Sequence, residues 1–247
     1  MTRAKDTTTS LNSTLKLLVS SSLAPSLLAD GYAESPAASR HTACTMQFHR
    51  VGPDHVCLLD FQRDKYWTNA EGKFAINIGI YFPAVEAIRG RPPIEGIPPD
   101  GCWTVTTRLA LLATGKDRWW TLTPKGNLGR LAGELQEGWR DFGRPWIEKN
   151  KVLANARDWQ LENYAEWPAV LSTVVLGQRD VARRILRDFW FRGRNRDPDV
   201  VKQSQALGLV DHTEAERLTW ALMQDATTLR RILDETFGTE GETLPRN

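Results

Sequence analysis

Apolar residues recur along this chain at two spacings, and the change from one to the other divides it. The clearest alternation runs over residues 74–82, where Phe74, Ile76, Ile78, Ile80 and Phe82 point the same way and predict a strand. Upstream, residues 45–50 and 55–62 alternate on either side of Gly52-Pro53-Asp54, which predicts a hairpin with Met46 and Phe48 sharing a face. Residues 103–111 alternate again, with Trp103, Val105, Thr107 and Leu109 on one side and Thr104, Thr106 and Arg108 on the other, and make a fourth antiparallel strand. Between the last two strands, Pro92, Pro93, Pro98 and Pro99 mark residues 84–101 as a long surface excursion. Near the start, Leu11, Leu15, Leu18 and Val19 recur at helical spacing in a run that Pro25 bends or ends, and residues 29–43 read as a connection.

From Asn127 the period becomes that of a helix. Leu128, Leu131, Leu135, Trp139 and Phe142 form one stripe, interrupted near Pro145. Beyond Lys151 the pattern stays helical, with Pro168 in a first turn, Asp180 as an N-cap, Asp197-Pro198 as a helix start and Thr213 with Glu216 at capping-box spacing. Gly177, Gly193 and Gly238 serve as stops. The expected fold is α+β: a four-stranded antiparallel sheet packed with helices over residues 10–150, then an all-helical C-terminal region of short antiparallel helices over residues 151–240. No self-similar period recurs, so a repeat protein is not expected.

Composition narrows the function classes. A net charge of +2, from 32 basic and 30 acidic residues, makes no whole-molecule field for nucleic acid or anionic lipid. Nucleic acid is therefore a disfavoured partner. Arg183, Arg184, Arg187, Arg192, Arg194 and Arg196 form a basic run, but Asp180, Asp188, Asp197 and Asp199 offset it, as on a solvated helix face. Polar breaks at Asn12, Lys16 and Ser20 to Ser22 argue against a secretory signal or membrane span. Cys44, Cys57 and Cys102 lack metal-ligand spacing and fit free thiols in a reducing cytosol, which makes the expected location cytoplasmic. No catalytic motif, metal set or cofactor fingerprint is found, so no catalytic residue, metal or cofactor is expected. His49 and His55 near the hairpin are read as ordinary edge histidines rather than general bases.

Strand alternation also defines a polar face. Opposite the apolar row of the third strand lie Ala75, Asn77, Gly79 and Tyr81. If the strands are neighbours, Gln62, Asn77 and Arg108 converge there with the carboxylate of Asp60 nearby, an amide and guanidinium cluster suited to a polar ligand or peptide. A solvated or partly covered sheet face is the competing reading. Of the ten tryptophans, Trp119 and Trp120 are adjacent, so one is expected in the core and the other over an opposing layer or partner. With Lys65 and Tyr81 they complete the candidate binding residues: Gln62, Asn77, Arg108, Lys65, Tyr81, Trp119 and Trp120.

Phe48-His-Arg50, residues 60–67 (Asp-Phe-Gln-Arg-Asp-Lys-Tyr-Trp), residues 72–80 (Gly-Lys-Phe-Ala-Ile-Asn-Ile-Gly-Ile) and Asp117-Arg-Trp-Trp120 resemble a bacterial family of domains of unknown function, number 4304. The resemblance extends over roughly residues 10–150. It implies an α+β fold around a central antiparallel sheet and supplies no catalytic residues. The expected function is a non-enzymatic protein-interaction or binding module, immunity- or adaptor-like, with another protein as partner. The alternative is an unrecognised enzyme with a polar pocket on the sheet face.

Overall fold

The computed structural model describes residues 10–35, 44–68, 71–92, 94, 96–99, 101–123, 126–191, 197–224 and 226–238. The chain forms two compact units. One comprises residues up to Phe82 together with Ile94–Lys151; the other comprises Pro83–Pro93 and the chain from Val152 onward.

The first unit is an antiparallel sheet with helices on one face. Its strands are β1 (Ala33–Ser35), β2 (Cys44–Val51), β3 (Val56–Arg63), β4 (Gly72–Tyr81), β5 (Val105–Arg108) and β6 (Trp120–Leu122). They run in the order β1-β2-β3-β4-β5, and β6 pairs with the start of β4 beyond the end of β5. The sheet therefore has six strands where four were expected. The two missed ones, β1 and β6, have three residues each, too short for alternation to stand out from a loop.

β4 shows why the layers form as they do. Phe74, Ile76, Ile78 and Ile80 are fully buried on one face, together with Leu59 and Phe61 of β3 and Phe48 of β2. Helices of the unit pack on this side: α1 (Leu11–Ser21), α2 (Leu23–Ala29), α4 (Leu109–Thr114), α5 (Leu128–Gly138) and α6 (Arg144–Asn150). They bring Leu11, Leu15, Leu27, Leu109, Leu135 and Ile147 into the core. Burying such side chains supplies most of the driving force for folding, at roughly 25 cal/mol per Å² of apolar surface.

Local chemistry moves several boundaries. Pro25 does not end the N-terminal run: the break falls at Ser22, and Pro25 sits in the first turn of α2, where its missing N–H costs nothing. The fourth strand stops at Arg108 instead of Leu111, because Leu109–Thr114 winds into a helix closed by Gly115 at φ 68°. The stripe from Leu128 passes through Pro145 without a break. A π-helical turn, Trp139–Gly143, takes up the irregularity ahead of Pro145. The wider turn shifts the helical phase, so Trp139 is buried while Phe142 turns outward.

The supposed surface excursion is also structured. It opens with a helix, α3 (Pro83–Ile88), and its later part folds back as cover for the second sheet face. Ile94, Ile97 and Trp103 pack on Val56, Leu58 and Tyr81, and the Pro98 carbonyl accepts a hydrogen bond from Gln47 Nε2 at 3.3 Å. Gly79 has no side chain because the Trp103 ring occupies that space: a Cβ there would lie 2.6 Å from the indole.

In the second unit α3 accompanies α7 (Leu153–Glu162), α8 (Glu166–Val175), α9 (Arg179–Phe191), α10 (Pro198–Ala206), α11 (His212–Leu222) and α12 (Ala226–Phe237). Val170, Ile185, Leu186, Trp190, Leu218 and Leu233 share its core. The capping box belongs to Asp211 and Glu214, so α11 starts before the expected Thr213. Asp180 lies in the first turn of α9 rather than at its cap. Arg183 and Arg187 of the basic run are tied to Glu214 and Asp234, at 3.1 and 2.7 Å. Gly193, Arg192, Arg194 and Arg196 lie outside the described residues. Among the described residues, no helix is long and apolar enough to cross a membrane.

Replacing Gly79 by Ala should destabilise the first unit by about 1–3 kcal/mol, because Trp103 must leave its seat or β4 must shift. Urea denaturation followed by tryptophan fluorescence measures this; an unchanged midpoint would show that Trp103 does not hold that position.

Candidate functional site

The register of three strands assembles the polar row. Asn77 of β4 lies opposite Asp60 of β3 on one side and Arg108 of β5 on the other. Its side chain bonds in both directions. Nδ2 donates to Asp60 Oδ1 at 2.7 Å and to Gln62 Oε1 at 3.1 Å, while Oδ1 accepts from Arg108 Nε at 3.3 Å. Both amide hydrogens and the carbonyl oxygen are thereby engaged. Arg108 is held further by Asp117, whose two carboxylate oxygens accept from NH1 at 2.9 and 2.8 Å, and by Trp119, whose ring lies 4.9 Å from the guanidinium carbon.

The row is graded in exposure. Asp60 is buried, Gln62, Asn77, Arg108 and Trp119 are half-buried, and Asp117 is exposed. The cover supplied by Ile94, Ile97 and Trp103 spans the Tyr81 end of the face, and the polar row begins beyond Gly79. Gln62, Asn77 and Arg108 thus come together as expected, with Trp119 added to them.

The remaining candidates lie apart. Tyr81 is buried at the covered end, its hydroxyl accepting from the Ile94 N–H at 3.4 Å. Lys65 is exposed in the turn after β3, with Nζ over the Tyr66 ring. Trp120 faces the core and stacks on Phe74 at 5.8 Å, so the adjacent tryptophans do split between the two faces. His49 bonds Ser35 Oγ through Nδ1 at 2.7 Å, and burial lowers its pKa although a hydrogen bond with the Ala33 backbone opposes this. His55 pairs with Asp54 at 2.8 Å. Cys57 is buried in the core; the Cys44 side chain lies outside the described residues. Among the described residues no group of His, Cys, Asp and Glu is placed to hold a metal ion.

A second constellation, on the core side of the sheet, escaped the reading of the sequence. Arg50 of β2 reaches Glu148 of α6 at 2.6 Å and the Asp30 carbonyl at 3.2 Å, and its guanidinium lies 5.0 Å from the Tyr32 ring centre. Asp30 also accepts from Trp139 Nε1 at 3.1 Å and pairs with Arg144 at 3.3 Å. Burial pushes up the Tyr32 hydroxyl and the Cys57 thiol, so both stay protonated at neutral pH. Burial would likewise raise Glu148, but hydrogen bonds from Lys151 and Arg50 outweigh it and hold the carboxyl below its ordinary value. These residues enclose no volume large enough for a ligand, so the group is a clasp and not a pocket. One signal in the sequence points to it: alternation sets Arg50 on the same face as Met46 and Phe48, and a charge on an apolar face implies a partner.

A cleft of about 380 Å³ lies beside β6, lined by residues 118–123, 126–128, 130, 131 and 134. It borders the polar row at Trp119 and does not lie over Asn77.

Strands β2 to β6, the polar row and the Asp117-Arg-Trp-Trp120 segment are all contained in one stretch of chain. Residues 43–149 match the domain of unknown function DUF4304. No curated protein and no solved structure matches the chain. The DUF4304 match is shorter than the 10–150 span suggested by the resemblance. It holds β2 to β6, Arg50 and Glu148, while Asp30 and Tyr32, which close over Arg50, precede it.

Two outcomes follow. Asn77→Ala should cost about 1–3 kcal/mol, since buried Asp60 loses one of its donors, as read from urea midpoints; a neutral change would mean the row is not held together through Asn77. Glu148→Gln should matter in a pH-dependent way. The folded-state pKa lies below the ordinary value of 4.5, so the stabilisation is fully present above that value and is lost as the pH falls through the lower folded-state pKa. The stability gap between wild type and Glu148→Gln should therefore be widest at neutral pH and shrink in acid; a constant gap would contradict the ion pairing.

Proposed function

We propose that the first unit is a non-enzymatic binding module for another protein, with Gln62, Asn77, Arg108 and Trp119 as its contact face. The observation that carries this reading is the state of Arg108. Its guanidinium is oriented by Asn77, Asp117 and Trp119, yet more than a quarter of its side-chain surface, 28%, stays exposed. An arginine fixed before binding loses little conformational freedom on contact, and Arg and Trp are both enriched among the few residues that carry most of the binding energy at protein interfaces. The free thiols of Cys57 and Cys102 suit a reducing, cytoplasmic setting.

The enzymatic alternative requires a pocket over the row with a group free to attack or to move a proton. Asn77 is instead committed to Asp60, Gln62 and Arg108, Arg108 is a fixed cation with no proton to exchange near neutral pH, and the cleft lies to one side.

Affinity capture with the tagged full chain, run beside Arg108→Ala and Trp119→Ala variants of unchanged far-UV spectrum, tests the module. A stoichiometric protein retained by the wild type and lost by roughly tenfold or more in both variants is expected for a hot-spot pair. A protein captured equally by all three, or no protein at all, would remove this face from consideration.

A further inference from the structure

We propose that the cleft between β6 and α5 receives an extended acidic peptide, which adds as a strand outside β6. This rests on the reading of the unit as a protein-binding module and names the partner's chemistry at its edge.

The backbone supplies the first argument. The Lys73 carbonyl accepts from the Asp64 N–H at 2.9 Å, so the peptide groups of Lys73 point toward β3. In an antiparallel pair they alternate, so those of Gly72 and Phe74 point the other way, toward their partners Leu122 and Trp120. The N–H and C=O of Thr121, lying between those two partners, are directed away from β4, and Thr121 is exposed. An outward donor and acceptor on one residue is the unit that an added strand engages.

Side chains beside that edge supply the second. Trp119, Trp120, Leu122, Leu128 and Leu131 give the cleft apolar walls, and the Trp120 indole N–H is buried without a hydrogen-bond partner. Its charges do not balance. Arg118 and Arg130 share a single carboxylate, Glu134, at 3.3 and 3.7 Å, which leaves one positive charge in excess among the described lining residues. The first turn of α5 contains Arg130 and no acidic residue. A carboxylate on the incoming strand completes the second pair with Arg130, three-quarters exposed, while Arg118, half exposed and lying over the Trp120 ring, keeps Glu134.

The test is a titration of the 15N-labelled full chain with a short synthetic peptide alternating Glu and Val, beside its Gln-for-Glu counterpart. Shifts are expected at the amides of Thr121, Leu122, Gly126 and Arg130. Affinity should fall roughly tenfold for the Gln peptide or for Arg130→Glu, the loss of a hydrogen bond to a charged group. Thr121→Pro removes the outward N–H at an edge position that tolerates proline, so it should abolish binding and leave the rest of the spectrum in place. Equal binding of both peptides, shifts confined to Asn77 and Arg108, or no shifts would overturn the proposal. So would concentration-dependent shifts at Thr121 without peptide, because a second copy would then own the edge. If the peptide fails while Arg108→Ala and Trp119→Ala still abolish partner capture, the acidic strand is wrong and the binding module stands.

Discussion

The register that places Asn77 between Asp60 and Arg108 is the constraint on which the rest of the first unit depends. Side chains alternate along β4, so a slip by one residue would turn Asn77 into the core and carry Ile76 and Ile78 out of it. The apolar row and the polar row therefore enforce each other. Hydrophobic burial makes the slip costly, and the bonds from Asn77 to Asp60, Gln62 and Arg108 add directional agreement across three strands. Gly79 extends the same logic, since its bare backbone gives Trp103 a seat on the polar side and divides a dry end of that face from a wet one.

The clasp around Arg50 solves a different problem. A sheet covered by helices gains stability from apolar contact, but such contact is non-directional and leaves the angle of the helices loosely set. Arg50 rises from the apolar side of β2 to bond Glu148 of α6 and the Asp30 carbonyl at the end of α2, while Asp30 holds Trp139 and Arg144. Sheet, N-terminal helices and the α5–α6 segment are thus tied at one point. The Arg50–Glu148 pair is only partly buried, with 24% and 39% of the two side chains exposed, so its contribution lies less in net stability than in the directions its bonds fix between sheet and helices.

Much of this was legible in the sequence because it depends on period. Residues 74–82 announce a strand buried on one face, and the same alternation brought Gln62, Asn77 and Arg108 to one surface before any pairing was known. Periodicity fails where elements are short or where chemistry overrides it. Three-residue strands at Ala33 and Trp120 carry one alternation at most, and the strand ending at Arg108 was overrun because Leu109–Thr114 is equally apolar as a helix. Phe142 looked like a member of the stripe from Leu128 until the π-helical turn changed the phase. Tyr81 shares the polar face by register, but what covers it arrives from residues 94–103, a contact between segments that no local pattern encodes.

The edge at β5 and β6 shows how the fold limits the reach of an exposed strand. A long flat edge invites any passing strand, whereas here the edge is cut into pieces of four and three residues, separated by α4 and the Asp117 to Trp119 segment. That interruption is also what builds the chemistry. Asp117 and Trp119 fold over Arg108 on one side of the break, and Arg118 turns to Glu134 on the other. The segment that blunts the edge against unspecific pairing therefore also carries the charged and aromatic groups on which the proposed binding depends, and a change at Asp117 or Trp119 alters the setting of Arg108 as well as the edge.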